Sequence, residues 1–330
     1  MIDIHTIQDV AKRAGVSVAT VSRVLNKSNN VKKSTFDTVM EAVNELGYTP
    51  NLMGRNLRKN ETKEILIIVP TIMNTFLSKV VKGIEDTAHE NGYSVIIRNT
   101  YEDYTIEQNH INMVKNKLSD GIIMVGSTLS KQELDEISAK IPIVQCSEYT
   151  IGANVSYVTT DNFKAAYDAV SYLIAGGKRR ILHFTVDNGF SSSIARLEGY
   201  KAALADNGIE FDKNLIEYGN YGYNNAVSVI KKREKTDFDA VFAVSDRMAA
   251  GCIRALEDRQ IKVPDDVWVI GFDNIDISYI LRPSITSVAQ KQYEMGKKAV
   301  QILLEKISDN SINRKVMLGY KIVKRQSTAD

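Results

Sequence analysis

From Glu64 onward the chain alternates between apolar runs of strand length and amphipathic segments of helix length. The run at 64–70 reads EILIIVP, and the following segment, 76–91, has apolar residues at helical spacing. Because a strand covered by helices on both faces is apolar throughout, such runs indicate a parallel sheet between two helix layers. The alternation occurs twice, which predicts two doubly wound parallel-sheet subdomains.

The same reading can be continued to the end of the chain. The predicted strands are 64–70, 94–100, 121–127, 142–149, 157–162, 181–186, 239–245, 268–274, 284–290 and 315–327. The predicted helices are 76–91, 106–118, 130–139, 162–176, 192–207, 222–234, 246–259 and 293–307. Since a helix and a strand follow the second series, we expect the chain to return to the first subdomain.

The N-terminal segment has a purely helical pattern. Thr6 can begin a first helix in a capping-box-like arrangement, and Gly15 can end it. Ser17 can cap a second helix, VATVSRVLN, and Ser34 can cap a third. Two short helices joined by a tight glycine-containing turn make a helix-turn-helix, whose second helix can lie in the major groove of DNA.

Charge and side-chain pattern agree with this interpretation. Residues 1–62 hold nine Lys and Arg against six Asp and Glu, although the whole chain has a formal net charge of only +2. A modest local excess of this kind fits DNA binding, and it fits an ordinary solvated surface equally well. The residues expected to form the small core are Val10, Ala11, Val16, Val21 and Val24. Those left facing outward are Val18, Ala19, Ser22, Arg23 and Asn26.

Residues 51–58 read NLMGRNLR. Asn51 can cap a short helix here, which Gly54 and the Asn residues make a weak one. An exposed Leu57 between two arginines is typical of a side chain that inserts into the minor groove. We therefore interpret the segment as a hinge helix, the alternative being a linker with one isolated leucine.

No catalytic constellation stands out. The sequence has no phosphate-binding loop, no GxGxxG opening a helix and no HExxH, and its four His are scattered. The two Cys lack zinc-site spacing and are expected to be reduced. We therefore predict a protein that is not an enzyme and that uses no metal or cofactor.

Several polar and aromatic residues fall where a small ligand could bind. Asp246 and Asp273 come just after predicted strands, and ligands of open parallel sheets bind at those strand ends. Arg196 is expected to begin the helical motif RLEGY, so its guanidinium can reach the same edge. An arginine facing an aspartate can hold vicinal hydroxyls by paired hydrogen bonds. Phe76 and Tyr221 are candidate stacking walls. Alternatively, the two acids cap helices and the two aromatic residues belong to the core.

Targeting signals are not evident. The chain does not open with a basic segment followed by an apolar one. No apolar run approaches the roughly 20 residues that a membrane span requires. We therefore expect a cytoplasmic protein without membrane partners.

Several motifs resemble the lactose/purine-repressor family of bacterial transcription regulators. They are TIQDVAKRAGVSVATVSRVLN, GYTPNLMGRNL, DGIIMVG, GYKAAL, SDRMAAG, VPDDVWVIGFDNI and the terminal RQST. The likeness spans nearly the whole chain and is strongest with the nucleoside-responsive branch. It implies a small all-α headpiece and hinge helix before a core similar to periplasmic binding proteins. It also implies a repressor whose operator affinity is controlled by a sugar or nucleoside bound between two core subdomains.

The resemblance also implies domain boundaries and an assembly. The expected parts are the headpiece at 1–50, the hinge helix and linker at 51–62, and the effector-binding core at 63–330. The core would divide into an N-subdomain, 63–161 plus 291–321, and a C-subdomain, 162–290 plus 322–330. Tetramers of this family often use an added C-terminal helix, and this chain stops just past RQST. We therefore expect a homodimer on a pseudo-palindromic operator.

DNA contacts carry over position by position. Val18, Ala19 and Arg23 match base-reading positions, and an arginine there can bind guanine through two hydrogen bonds. Leu57 matches the leucine that kinks the operator at a central step, usually CpG. The other DNA-binding candidates, matching positions that contact or support phosphates or belong to the hinge, are Thr6, Ser17, Thr20, Ser22, Asn26, Tyr48, Asn51, Arg55 and Arg58.

Effector contacts carry over in the same way. The matching positions are Asn74, Phe76, Ser147, Glu148, Asp161, Arg196, Tyr221, Asp246, Asp273 and Gln290. Glu148 and Asp161 add negative charge, which argues against phosphorylated or acidic ligands unless Arg196 offsets it.

The chain departs from the family pattern at a few positions. Thr71 and Thr75 replace an Asp and a Pro in the loop after the first strand. Phe190 stands where purine-binding relatives have an arginine, which argues against a purine base as ligand. Gln301 stands where the catabolite-control branch, which uses a phosphorylated protein corepressor, has an arginine. Regulation by a protein corepressor is the alternative to regulation by a small molecule alone.

The wedge interpretation of Leu57 makes a prediction. Leu57→Ala should weaken binding to a specific operator far more than binding to nonspecific DNA, because only the specific complex requires the inserted side chain. Gel shifts with both DNAs measure the two affinities. An equal loss on both DNAs would show that Leu57 is not a wedge.

Overall fold

The computed structural model describes residues 5–26, 31–49 and 61–328. The chain divides into two compact units, Met1–Thr62 and Lys63–Asp330. Each unit is considered by itself below.

The first unit contains the helices α1 (Ile7–Ala14), α2 (Val18–Leu25) and α3 (Lys33–Glu45). Their shared core is small and rich in valine, and its buried members are Val10, Ala11, Val21, Val24, Val39, Ala42 and Val43. The predicted helix-turn-helix with a third supporting helix is confirmed.

Local sequence sets the ends of α1 and α2. Thr6 and Asp9 form the predicted capping box, in which the Thr6 N–H donates to the Asp9 carboxylate at 2.8 Å. Gly15 ends α1 with a φ of +64°, a conformation that glycine adopts without steric cost. Ser17 then caps α2 by accepting a hydrogen bond from the Thr20 N–H at 3.1 Å. Since Gly15 ends α1 and Ser17 caps α2, only three residues, 15–17, separate the two helices.

The second unit contains two six-stranded sheets. Its strands are β1 (Glu64–Val69), β2 (Ser94–Asn99), β3 (Gly121–Met124), β4 (Ile143–Cys146), β5 (Ser156–Thr160), β6 (Ile181–Val186), β7 (Ile216–Gly219), β8 (Ala240–Ala243), β9 (Trp268–Asp273), β10 (Thr286–Ala289), β11 (Lys315–Leu318) and β12 (Lys321–Val323). Its helices are α4 (Thr75–Glu90), α5 (Tyr104–Lys115), α6 (Lys131–Ser138), α7 (Asn162–Ala175), α8 (Ser191–Asp206), α9 (Tyr223–Lys232), α10 (Asp246–Glu257), α11 (Ile277–Ile280) and α12 (Gln292–Ser308), with a 3₁₀ turn at Lys213–Leu215.

Both sheets have the doubly wound order. The first runs β2-β1-β3-β4-β5-β11, and all its pairings are parallel. The second runs β7-β6-β8-β9-β10-β12 and is parallel except for the antiparallel pairing of β10 with β12. The predicted fold class is thereby confirmed.

Burial explains the apolar runs. In β1, Ile65, Ile67 and Val69 pack toward α4 and α12, and each is at most 1% exposed. Leu66 and Ile68 point to the opposite face and pack toward α5 and α6. Since successive side chains of a strand alternate between faces, a strand with helices on both sides must be apolar at every position.

The chain passes between the two sheets three times. It leaves the first sheet after β5, returns to it after β10 through α12 and β11, and ends in the second sheet at β12. The lobes formed by the sheets are therefore joined by three connections, and the carboxyl ends of β1, β4 and β9 lie near the cavity described below.

Four sequence-based expectations were wrong in detail. Ser34 does not cap α3, which begins at Lys33 after Lys32 without a side-chain cap. The expected closing strand 315–327 is two strands in different sheets, interrupted at 319–320. The edge strand β7 was not predicted, because its residues are only partly buried and have no apolar run. Arg196 lies inside α8 and does not begin it.

Two glycines let α4 and α12 pack with their backbones in contact. A Cβ on Gly83 would lie 2.1 Å from the Tyr293 carbonyl oxygen. A Cβ on Gly296 would lie 2.0 Å from the Val80 carbonyl oxygen. Neither obstacle is a side chain that could turn away, so the helix pair tolerates only glycine at these positions.

We therefore expect Gly83→Ala to lower the unfolding free energy by about 1–3 kcal/mol, the usual cost of overpacking a tight interior. Gly319→Ala is the matched control, because a Cβ there would meet nothing within 4 Å. Urea unfolding followed by circular dichroism compares the two variants with the wild type. Equal midpoints for all three would show that the helices can separate at no cost.

Candidate functional site

In the first unit, α2 exposes a row of predicted DNA-binding residues. Val18 is 40% exposed, and Ala19 and Arg23 are also exposed, whereas Val21 and Val24 are buried in the headpiece core. The predicted base-reading residues therefore lie on the face of α2 that its packing leaves open. Among the described residues, Arg23 forms no ion pair, so its guanidinium is available for DNA.

The other headpiece candidates lie at helix ends. Thr6 and Ser17 are N-caps, and the hydroxyls of Ser17 and Thr20 lie 2.9 Å apart. Asn26 ends α2 and donates from its amide to the Ser22 carbonyl oxygen at 2.7 Å. The partly buried Tyr48 packs against the headpiece core. Exposed N-terminal N–H groups of helices are suited to phosphate contacts. The hinge candidates Asn51, Arg55, Leu57 and Arg58 lie outside the described residues.

In the second unit, a cavity of about 80 Å³ lies between the lobes. Eight of the ten predicted effector-binding residues line it: Asn74, Phe76, Ser147, Glu148, Arg196, Tyr221, Asp273 and Gln290. Five further residues complete the lining: Pro70, Leu77, Val125, Phe190 and Ser192. The walls come from both sheets, so a bound molecule would contact both lobes.

The structure places the other two candidates away from the cavity. The Asp161 carboxylate caps α7, accepting a hydrogen bond from the Lys164 N–H at 3.0 Å. Asp246 is fully buried, and its carboxylate accepts hydrogen bonds from the Ser287 hydroxyl at 2.5 Å and the Ile275 N–H at 2.8 Å. Asp246 was predicted as a pocket residue because it follows a strand, and Asp161 because it matches an effector position of the family. Asp246 instead fixes the loop after β9.

That loop presents Asp273 to the cavity. Its carboxylate accepts a hydrogen bond from the Gln290 amide at 2.8 Å, and its carbonyl oxygen accepts one from the Gln292 amide at 2.5 Å. Burial raises the pKa of Asp273 to about 7, against the opposing influence of Arg196 and of the Gln290 hydrogen bond. Asp273 is therefore a carboxyl group that can lose or keep its proton near neutral pH.

Arg196 is the cationic residue of the cavity wall. It is 5% exposed, its Nε donates to the Asn162 amide oxygen at 2.9 Å, and one terminal nitrogen donates to the Val244 carbonyl oxygen at 2.7 Å. Its guanidinium lies 3.6 Å from the centre of the Phe272 ring. A guanidinium has five N–H donors, and these two bonds leave three without a hydrogen-bond acceptor in the described part of the chain. They are available to a ligand's oxygens.

Glu148 reaches the cavity from the first lobe. Its carboxylate accepts hydrogen bonds from the Ser191 hydroxyl at 2.9 Å and from the Ser192 N–H at 3.0 Å, both on the second lobe. Burial, and then the charge of Glu148, raise the pKa of the Tyr221 hydroxyl. That hydroxyl therefore stays protonated, within 3.0 Å of the Ser193 hydroxyl.

Three residues of the cavity wall have a left-handed backbone conformation. Ser147, Tyr221 and Asp273 have φ values of +72°, +61° and +101°, which non-glycine residues rarely adopt. Such residues cluster at ligand-binding sites, where the surrounding structure holds them against the strain. All three lie in loops at the ends of strands or helices, where their side chains face the cleft.

The arrangement is suited to binding. Arg196 offers donors, Asp273 and Glu148 offer acceptors, and the rings of Phe76, Phe190 and Tyr221 lie in the same wall. Donors, acceptors and aromatic faces in one enclosed cleft fit a polyhydroxylated ligand with a planar or ring-shaped part.

Sequence reasoning missed part of this wall. Pro70, Leu77 and Val125 read as ordinary core residues, and nothing in their pattern separates them from the core. Ser192 could have been recognised, because a run of three serines opens α8 directly after a strand. Serines at a helix N-terminus beside a strand end are a signal for a polar ligand or partner.

Two family models match the chain. Residues 6–51 match the family described as bacterial regulatory proteins, lacI family. Residues 170–328 match the periplasmic binding protein-like domain. The first match covers the headpiece, and the second covers most of the C-terminal half.

Individual proteins are similar over almost the whole length. Catabolite control protein A of Priestia megaterium is 34% identical over 329 residues, covering 98% of this chain and 99% of that protein. The transcriptional repressor CytR of Escherichia coli K12 is 35% identical over 310 residues, covering 93% and 91%. The solved complex of the transcriptional regulator CelR with cellobiose is 29% identical, with a TM-score of 0.74 and coverage of 98% and 99%. None of the helices in the described part of this chain is long and apolar enough to cross a membrane.

The raised pKa of Asp273 makes a prediction about stability. A carboxyl whose pKa is higher in the folded than in the unfolded protein stabilises the fold below about pH 4, and this contribution is lost as the pH rises toward 7. Asp273→Asn keeps an oxygen for the Gln290 amide and removes the titration. The unfolding free energy of the variant relative to wild type should therefore rise by at least about 1 kcal/mol from pH 5 to pH 8.

Urea unfolding of both proteins at several pH values measures this difference. Asp161→Asn is the control, because that carboxylate caps α7 and does not line the cavity. A difference between Asp273→Asn and wild type that does not change with pH would contradict the raised pKa.

Proposed function

Because the chain belongs to the lacI family of bacterial regulatory proteins, we propose that α2 reads operator DNA and that ligand binding in the cleft controls how tightly it is held. The protein is a DNA-binding transcriptional repressor with an effector-binding core. Its role is regulatory, and we propose that it has no catalytic activity. What remains to be assigned is how the DNA is read, which ligand is bound and how the chain assembles.

For DNA, we assign base reading to Val18, Ala19 and Arg23. These residues share the exposed face of α2, and their side chains are not needed to hold the headpiece core. Arg23 would bind a guanine edge, and the hydroxyls near the helix N-termini would hold phosphates. The hinge residues, with Leu57 as the wedge, would contact the centre of a pseudo-palindromic operator.

For the effector, the observation that carries the proposal is that Arg196 and Asp273 line the same cavity. Arg196 supplies unused N–H donors and Asp273 supplies an acceptor, which together suit neighbouring hydroxyl groups. CelR was solved in complex with cellobiose, and the motifs of the sequence resemble the nucleoside-responsive branch of the family. We propose a sugar or nucleoside that joins the lobes and changes DNA affinity through their relative closure.

We propose the assembly and the domain limits on separate grounds. Ile72 (65% exposed), Met73 (77%), Tyr279 (50%) and Ile280 (67%) are large apolar residues at the surface of the second unit. Exposed apolar residues of this kind fit a protein–protein interface, here a homodimer matching a two-fold operator. The protein would act in the cytoplasm, where its operator is. The proposed limits are 1–50, 51–62 and 63–330, with the core divided into 63–161 plus 291–321 and 162–290 plus 322–330.

A catabolite-control regulator with a protein corepressor is the second candidate. The observation that favours it is the 34% identity to catabolite control protein A over almost the whole chain. Gln301 opposes it, because the branch that binds a phosphorylated carrier protein has an arginine there. That substitution removes a charge suited to a phosphate group.

Two measurements test the assignment. Gel shifts against a palindromic operator with a central CpG measure specific DNA binding. Thermal-shift screening against sugars, nucleosides and sugar phosphates identifies a ligand, because a specific binder raises the melting temperature in a concentration-dependent way. Repeating the gel shift with that ligand gives the sign of the response. A protein that binds no operator in any condition would exclude the proposal.

The cleft assignment predicts the phenotype of Asp273→Ala. Without the carboxylate, the variant should bind operator like the ligand-free wild type but lose the ligand response, with at least about tenfold weaker ligand binding, because a hydrogen bond to a charged group contributes about 1.5–3 kcal/mol. Asp161→Ala is the matched control, since that carboxylate caps α7 outside the cavity. A normal response in Asp273→Ala would remove this residue from the site.

A further inference from the structure

The start of α8 lacks a cap of its own. The N-cap position is Phe190, which makes no side-chain cap hydrogen bond, and the first turn that follows is a run of buried serines. A 16-residue helix carries unpaired N–H groups and a partial positive charge at this end, which together bind anions. This end lies in the wall of the cleft, because Ser192 is one of the lining residues.

The missing cap is supplied from the opposite lobe. The Glu148 carboxylate accepts hydrogen bonds from the Ser191 hydroxyl at 2.9 Å and the Ser192 N–H at 3.0 Å. The Tyr149 N–H, on the same loop, donates to the Ser191 hydroxyl at 3.1 Å. A carboxylate of the protein therefore occupies the position where a ligand's anionic group would otherwise bind.

The same wall carries a second element of an anion site. Arg196 lies one helical turn beyond Ser192 on α8, is 5% exposed and lines the cavity. Three of its five N–H donors have no hydrogen-bond acceptor among the described residues. The cleft thus has both a helix N-terminus and a buried guanidinium, the combination that binds phosphate groups, but its own Glu148 takes the helix N-terminus.

We propose that Glu148 determines the charge class of the effector, restricting the cleft to uncharged polyhydroxylated ligands. A phosphorylated ligand would have to displace Glu148 from Ser192, or to place its charge beside the carboxylates of Glu148 and Asp273 in a partly desolvated cleft. A neutral sugar or nucleoside meets neither obstacle and leaves the bridge between the lobes intact. The proposal rests on the assignment of the cleft as the effector site.

The test uses inorganic phosphate as the probe and the full-length protein. Thermal shift and calorimetric titration with phosphate, against sodium chloride at matched ionic strength, are run on wild type, Glu148→Ala and Glu148→Gln. Glu148→Ala should bind phosphate at least about tenfold more tightly than wild type, since one charge-assisted hydrogen bond corresponds to that factor or more. Glu148→Gln keeps an oxygen that can accept from Ser192, so it should fold like wild type and gain phosphate affinity by a smaller factor.

The chain offers a matched control for removing a capping carboxylate. Glu133 completes the capping box of α6, whose N-cap is Ser130, by accepting hydrogen bonds from the Ser130 N–H at 2.9 Å and the Ser130 hydroxyl at 2.7 Å. No arginine hydrogen-bonds at that end of α6 among the described residues, so Glu133→Ala should gain no phosphate affinity.

The proposal is overturned if wild type binds phosphate as tightly as Glu148→Ala, or if neither Glu148 variant gains affinity beyond Glu133→Ala. These outcomes do not depend on operator binding or on the identity of the effector. A protein that binds operator and responds to a sugar phosphate would keep the proposed regulatory function and lose this one. If the Glu148 variants gained phosphate binding but no sugar or nucleoside changed operator binding, the role of Glu148 would stand and the proposed effector control would not.

Discussion

The cleft depends on the buried guanidinium of Arg196, which forms no salt bridge with any residue that the structure describes. Burying a charge is costly unless its hydrogen bonds are satisfied. Arg196 meets part of this need through Asn162 and the Val244 carbonyl oxygen, and its flat face lies on Phe272. Its remaining donors point to a place where a ligand's oxygens can complete the set. The surrounding structure therefore stabilises a cation in a position that only a bound molecule fully satisfies.

Asp273 needs the same kind of support from its surroundings. It has a φ of +101°, and Asp246, Gln290 and Gln292 hold the loop and the carboxylate in place. Burial raises the pKa of Asp273 to about 7, because the carboxylate loses hydration where the fold holds it in the cavity wall. The strained backbone and the desolvated carboxylate of Asp273 lower the stability of the fold locally. The buried apolar strands on either side of the cleft contribute the stability that offsets this cost.

The fold could be predicted from the sequence because the spacing of apolar residues matches the burial of each strand and helix in the structure. Strands such as β1 are apolar at every position, and the glycine and serine at 15 and 17 specify the helix-turn-helix. The sequence was less informative where a residue's role is set by distant parts of the chain. Asp246 and Asp273 both follow strands, yet one fixes a loop and the other faces the cavity. Only the pairing of β9 with β10, which brings Ser287 to Asp246, separates the two roles.

Glu148 illustrates the same limit and connects the two lobes. Its position after β4 makes it a pocket candidate, but the hydrogen bonds to Ser191 and Ser192 join elements far apart in sequence. Because that bridge crosses the cleft, the group that sets the local charge also resists separation of the lobes. A ligand that left the bridge in place would favour the closed arrangement, whereas one that displaced it would remove a bond between the lobes. In the proposed mechanism, Glu148 would couple the charge of the ligand to the closure of the lobes.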